Sequence, residues 1–273
     1  MTQAEPASGY IYDQAWANER DRLEAIADVY DEGTRRHIGA LGLQPGWRCL
    51  EVGAGAGSIA RWLAAEVGSG GHVVATDIDP RYVDAGGHAN LEVRKHDVTR
   101  DPLESDAYDL VHARMLVEHL PARDAVAARL AAGLRPGGWL LLEDVDFAGP
   151  MGEAIARYSA PEAQATVLQV TRAFDRAMTA AGADVGFGAE LVTLLRGAGL
   201  TELGGELRAP LLVTRPDRPH WIRLSLQEIR PILVSSGLLD DATVEAWLSA
   251  LGEPGTAVLT APVMAAWGRR PAA

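Results

Sequence analysis

Cys49-Leu50-Glu51-Val52-Gly53-Ala54-Gly55-Ala56-Gly57-Ser58 is the stretch on which the fold turns. A short apolar run that opens into closely spaced glycines reads as a strand handing over to a helix. Residues without Cβ allow both the tight turn and a close approach of backbone to a ligand. A second apolar run, His72-Val73-Val74-Ala75-Thr76, ends in Asp77, which lies 20 residues beyond Gly57. That separation lets a strand–helix–strand unit aim a carboxylate at ribose hydroxyls. Either feature alone also fits a turn with nothing bound; together they predict a nucleotide-type site.

The details select among nucleotides. A dinucleotide fingerprint wants glycine or alanine three residues after its second glycine, so that pyrophosphate can rest on the helix N-terminus. Counted from Gly55, that position is Ser58. Glu51 ends the strand with an anion that repels pyrophosphate and favours a cation. A ligand with a ribose, an ammonium or sulfonium group and no phosphate therefore fits better than NAD, and an NAD-dependent oxidoreductase is the disfavoured alternative.

Further motifs follow in order: His96-Asp97-Val98 after an apolar third strand and, beyond a fourth strand at Asp109 to Ala113 that is not itself one of them, Leu134-Arg135-Pro136-Gly137-Gly138 before a fifth. With Glu51 to Gly57 and Asp77, this set resembles the ordered motifs of class I S-adenosylmethionine-dependent methyltransferases. The resemblance is good over about positions 45–147 and loose elsewhere. It implies S-adenosyl-L-methionine as cofactor and a small organic molecule, with a secondary metabolite as the expected kind, as substrate. A protein that binds the cofactor for a non-methylating or regulatory role is the alternative.

The expected fold is α/β: a Rossmann-like, doubly wound, seven-stranded, mostly parallel sheet. A helical N-terminal segment (1–44) precedes a methyltransferase domain (45–273), whose helical insertions at about 151–184 and 215–251 form a cap. Helical periodicity covers 10–41, 58–67, 153–181, 187–195, 219–236 and 241–251, with a sixth strand in 207–213 and a seventh in 258–267. The resemblance makes those two strands an antiparallel edge and lays the N-terminal segment over the cofactor, bringing Tyr10, Tyr12 or Trp16 near substrate.

Expected cofactor contacts are Glu51, Gly53, Gly55, Gly57, Asp77 and Ile78, the last against one adenine face. The resemblance adds Asp97 and Val98 for the adenine edge; backbone at Ala113 and Arg114, on the carboxyl edge of the sheet, would meet the amino acid part. Candidates for proton transfer are His119, preferred for its loop position, and His112, with Asp144 as an orienting or substrate-binding acid. His96 reads as a surface residue. Asp144 and Asp146 share one side of a strand end but lack a third ligand, so no metal is expected.

Composition narrows the partners. The 273 residues carry 25 basic and 37 acidic side chains, a net charge of −12, with no basic run, which argues against nucleic acid and anionic membrane. The one cysteine, Cys49, lies inside a strand and reads as core. Without a signal pattern or a run of 18 apolar residues, the expected location is the cytoplasm. Few lysines beside much Ala, Gly, Arg and Leu suggest a high-GC bacterial source. A homodimer is compatible with the sequence.

Overall fold

The computed structural model describes residues 11–13, 15–215, 217–218 and 220–272; Tyr10 lies outside them. In chain order the elements are α1 (Glu19–Ala40), β1 (Arg48–Val52), α2 (Ser58–Val67), β2 (His72–Asp77), β3 (Leu91–Lys95), β4 (Tyr108–Arg114), α3 (Arg123–Gly133) and β5 (Leu134–Val145). The second half adds α4 (Gly149–Ala156), α5 (Gln164–Ala180), α6 (Leu191–Gly197), β6 (Thr201–Arg208), β7 (Leu211–Val213), α7 (Trp221–Ser235), α8 (Asp241–Ala250), β8 (Ala257–Leu259) and β9 (Val263–Arg269).

Seven strands form one sheet in the order β3-β2-β1-β4-β5-β9-β6. Strands β1 to β5 pair in parallel, whereas β9 runs antiparallel to both β5 and β6. Strand order reverses between β1 and β4, which opens a crevice at their carboxyl ends.

Period-2 alternation assigns each strand residue to a face. Cys49, Val73, Ala75, Leu110 and Leu141 pack with Ile59, Leu63 and Val67 of α2 and Ile38 of α1. Leu50, Val74, Val111, Leu140 and Leu142 pack with α3 and α6 on the other face. A further cluster joins α1, α4, α5, α7 and α8 over the carboxyl edge. Leu63 is fully buried, and truncation to alanine there costs about 2–5 kcal/mol.

Several boundaries differ from the sequence expectation. The single helix expected over 153–181 is broken into α4 and α5 around Pro161, which has no amide hydrogen to continue a helical ladder. The expected helix over 187–195 is a 3-10 turn, Phe187–Glu190, running into α6. The sixth sheet strand is β6, upstream of the expected 207–213; that stretch contributes β7, which pairs with β8 in a separate two-stranded sheet. The expected seventh strand is thus two elements, β8 and β9. Among the described residues no helix is long and apolar enough to cross a membrane.

Candidate functional site

A cavity of about 590 Å³ opens at the β1/β4 crevice, within the range of small-molecule sites. Its floor is the turn after β1. Gly53, Gly55 and Gly57 have φ of +70°, +54° and +77°, a region that L-residues with a Cβ avoid. A Cβ on Gly53 would stand 3.3 Å from Leu116. The amides of Gly53 and Ala54 donate to the Thr76 carbonyl at 2.8 and 3.0 Å, so β2 braces the turn.

Asp77 completes that brace. Its Oδ2 accepts from the Gly55 amide and its Oδ1 from the Asp79 amide, both at 3.0 Å. Burial pushes its carboxyl above the ordinary range, against the pull of these hydrogen bonds. Glu51, Gly53, Gly55, Asp77, Ile78, Asp97 and Val98 all line the cavity, as does His96, which the sequence assigned to the surface. Gly57 does not line it and instead caps α2. Asp97 is held by Thr99, whose amide donates at 2.9 Å, and by Arg100 at 2.7 Å. Partial burial raises its pKa, but these partners outweigh that and hold it below the usual value.

Behind the turn lies an interstrand cluster that the sequence did not announce. Register sets Glu51 of β1 beside His112 of β4. The imidazole Nδ1 lies 2.6 Å from Glu51 Oε2, and Nε2 lies 3.2 Å from Glu143 Oε2 on β5. Burial alone would lower the His112 pKa, but the two carboxylates overcome it and raise it to about 9. Glu143 also faces α1: Thr34 Oγ1 donates to it, and His37 Nδ1 lies 3.0 Å away. Burial opposes ionisation of Glu143, yet its His partners hold it far below the ordinary value.

Three expectations are corrected here. His112 has no exposed surface and does not line the cavity; sealed between two carboxylates, it has no path to a substrate proton. Ala113 is likewise buried in the strand behind the wall. Asp144 is 1% exposed and outside the lining, with Oδ1 accepting from the Leu116 amide at 2.9 Å. Burial and the neighbouring Glu118 push its carboxyl well above the ordinary range. Among the described residues no group of His, Cys, Asp and Glu is arranged to hold a metal ion.

His119 does line the cavity, and its acidic companion is Glu118 rather than Asp144. His119 Nε2 lies 3.2 Å from Glu118 Oε1, while Glu118 Oε2 accepts from the Val145 amide at 2.9 Å. Met115, another lining residue, has φ of +51°, a conformation costing a residue with a Cβ about 1–2 kcal/mol. Arg114 reaches the cavity wall but spends its guanidinium on α1, donating to Thr34 Oγ1 and Asp31 Oδ1, each at 2.8 Å.

The roof is mostly apolar. Val145 and Phe147 from the end of β5, Phe174 and Met178 from α5, and Trp221 from α7 close the side away from the glycine turn. Tyr12 lines the roof and lies under Arg22, whose guanidinium is 3.9 Å from the ring centroid. Arg22 is held by Glu19 at 2.7 Å and by Glu228 of α7 at 3.5 Å. Trp16 packs against the cap cluster rather than on the cavity.

The cavity suits S-adenosylmethionine. The turn glycines hold φ values that residues with a Cβ avoid, Asp77 stands beside them at the end of β2, and seven carboxylates against three arginines line the wall, a balance that favours a cation and disfavours phosphate.

Comparisons with known proteins agree. A family model described as a methyltransferase domain matches residues 14–185. Methyltransferase str2 of Strobilurus tenacellus is 30% identical over 131 residues, 46% of each chain. The nocamycin O-methyltransferase of Saccharothrix syringae is 34% identical over 130 residues, covering 43% of this chain and 46% of its own. The chain thus spans about half the length of the curated relatives it matches. In fold, it is similar to the Haemonchus contortus phosphoethanolamine N-methyltransferase 2 solved with phosphomonomethylethanolamine and S-adenosylhomocysteine. That likeness has a TM-score of 0.56 at 15% identity, over 91% of this chain and 57% of the other. With its sheet order and glycine turn in place and the methyltransferase-domain model matching residues 14–185, the chain belongs to the class I S-adenosylmethionine-dependent methyltransferases.

Proposed function

We propose that this chain methylates a small, largely apolar organic molecule at the expense of S-adenosylmethionine. The observation that carries this reading is the division of one cavity into two ends. The end at β1 and β2 is built of glycine backbone and carboxylates; the end under α5 and α7 is built of Phe147, Phe174, Met178 and Trp221. Similarity to the nocamycin O-methyltransferase supports an acceptor of the secondary-metabolite kind.

When bound, the cofactor supplies an electrophilic methyl group on a sulfonium. In this reading Asp77 holds the ribose, and Ile78, Asp97 and Val98 enclose the adenine. Glu51 attracts the ammonium and Gly53 allows close approach. Backbone at Arg114 borders the amino acid portion, while α1, α5 and α7 roof the acceptor and exclude water. Displacement at a methyl carbon is accelerated chiefly by in-line proximity. A base is needed only where the acceptor must lose a proton, and His119, held by Glu118, is the group positioned to receive it.

The test is incubation with S-adenosylmethionine carrying a labelled methyl group and a panel of phenols, hydroxylated polyketides and amines, followed by organic extraction. Label in an extracted product supports the reading. Tight binding of the cofactor with no transfer to any extract of the source cells would favour a cofactor-binding role without methylation.

A further inference from the structure

The Glu51–His112–Glu143 cluster is larger than the fold requires. A buried ion pair seldom stabilises more than an apolar pair of the same volume, so three ionisable groups from three adjacent strands call for another reason. Glu51 and Glu143 are 4% and 3% exposed and His112 has no exposed surface. Glu51 uses Oε2 on His112. Among the described residues nothing donates to Oε1, while the residue lines the cavity beside Gly53. The free oxygen of a rigidly held carboxylate is therefore presented to the ligand.

The other side of the cluster leads to the roof. Glu143 accepts from Thr34 and contacts His37, both on α1, and Thr34 also accepts from Arg114. His37 in turn lies 3.4 Å from Glu206 on β6. Arg114 bonds Asp31 of α1, to which Ser58 at the start of α2 donates at 3.1 Å. Helix α1 contributes Glu19, Arg22, Leu23 and Ile26 to the cavity wall.

We propose that His112 is a positioning residue which acts through Glu51: clamped between two carboxylates on adjoining strands, it aims Glu51 at the cofactor's ammonium group and, through Glu143, ties that contact to the seating of α1. This rests on the cofactor reading above. A neutral side chain at 112 would leave Glu51 and Glu143 facing one another without the intervening cation, and Glu51 would lose its fixed direction.

The probes are S-adenosylhomocysteine and its desamino analogue, which keeps the carboxylate and lacks the ammonium. Titration calorimetry on the unaltered protein should show a preference for the amino form. In His112→Gln that preference should shrink about 10-fold while the affinity for the desamino analogue stays within twofold. Glu51→Gln should do the same, and the double variant should lose no more than either single one, as expected of residues acting in series. If His112→Gln does not fold, Glu143→Gln provides the same comparison. In the unaltered protein, the His112 ring-nitrogen resonances should move with S-adenosylhomocysteine and stay fixed with the desamino analogue. An undiminished preference in folded variants overturns the proposal, as does equal weakening of both ligands. Failure of the unaltered protein to bind S-adenosylhomocysteine at all would instead overturn the cofactor reading.

Discussion

The Asp77 carboxylate accepts the Gly55 amide at 3.0 Å, so the acid at the end of β2 and the glycine turn after β1 form one unit. Asp77 braces the turn, and in the proposed function it also offers its remaining acceptor capacity to a ribose. Asp77→Ala removes both and should weaken S-adenosylhomocysteine by about 2 kcal/mol, the scale of hydrogen bonds to a charged group. Gly55→Val places a β-branched residue at φ +54° with its Cβ 3.5 Å from Leu23, and should weaken binding by at least about 2 kcal/mol. Calorimetry on the folded variants decides the point, since unchanged affinity in both would remove this turn from the cofactor site.

The first half of the sheet was legible because its signals are local. Glycine spacing, the acid 20 residues beyond it and the runs of β-branched residues each fit inside one strand–helix–strand unit. The later strands were not. The sixth strand is expected over 207–213, past Gly204 and Gly205, yet these are glycines because of what crosses them: a Cβ on Gly204 would stand 2.6 Å from the Trp267 ring, and one on Gly205 would stand 2.5 Å from Met264. Strand β6 is thus specified by its partner β9, some 60 residues away. The same limit hid the buried cluster. Glu51, His112 and Glu143 belong to different motifs, and only the register of β1, β4 and β5 sets them side by side. Glu118 was missed for a simpler reason: next to His119 in sequence, it looked like a loop residue until its carboxylate met the Val145 amide.

Stability should fall on the alkaline side because of His112. Its pKa is raised to about 9 in the folded chain, against an ordinary value of about 6.5 in the unfolded one. The folded state holds this proton more tightly, so the contribution is complete below pH 6.5 and is lost as pH climbs to 9. The loss is on the order of 3 kcal/mol. Urea unfolding followed from pH 6 to 9.5 should show this decline in the unaltered protein and a flatter profile in His112→Gln. Parallel profiles would mean that the imidazole is neutral in the folded state.

Charge bears on the partner class. With a net charge of −12 and no basic run, the protein lacks the phosphate attraction that supplies most non-specific nucleic-acid affinity. No retention of DNA or RNA is expected in filter binding, even at low salt. A micromolar complex that weakens steeply with added salt would move the acceptor from metabolite to nucleic acid.

The chemistry of the acceptor turns on His119. It is the one of the two candidate histidines that reaches the cavity, and Glu118 fixes its Nε2 at 3.2 Å. If the acceptor is a hydroxyl or an activated carbon, a proton must leave during or after attack, and the imidazole is placed to take it. Loss of a general base costs at least about 10²-fold in rate. His119→Ala should therefore lower kcat by about that factor and leave cofactor affinity unchanged, since the contacts proposed for the cofactor lie at the carboxyl ends of β1, β2 and β4 and in the loop after β3. Glu118→Gln should lower kcat less, because the imidazole remains but its orientation is no longer enforced by a charge. Once an acceptor is in hand, the pH profile of kcat separates the alternatives. A kcat that depends on pH in the unaltered protein and no longer does so in His119→Ala marks proton transfer. Near-full kcat in His119→Ala from pH 6 to 9 would mean that proximity alone carries the methyl across, leaving the histidine as a wall of the cavity.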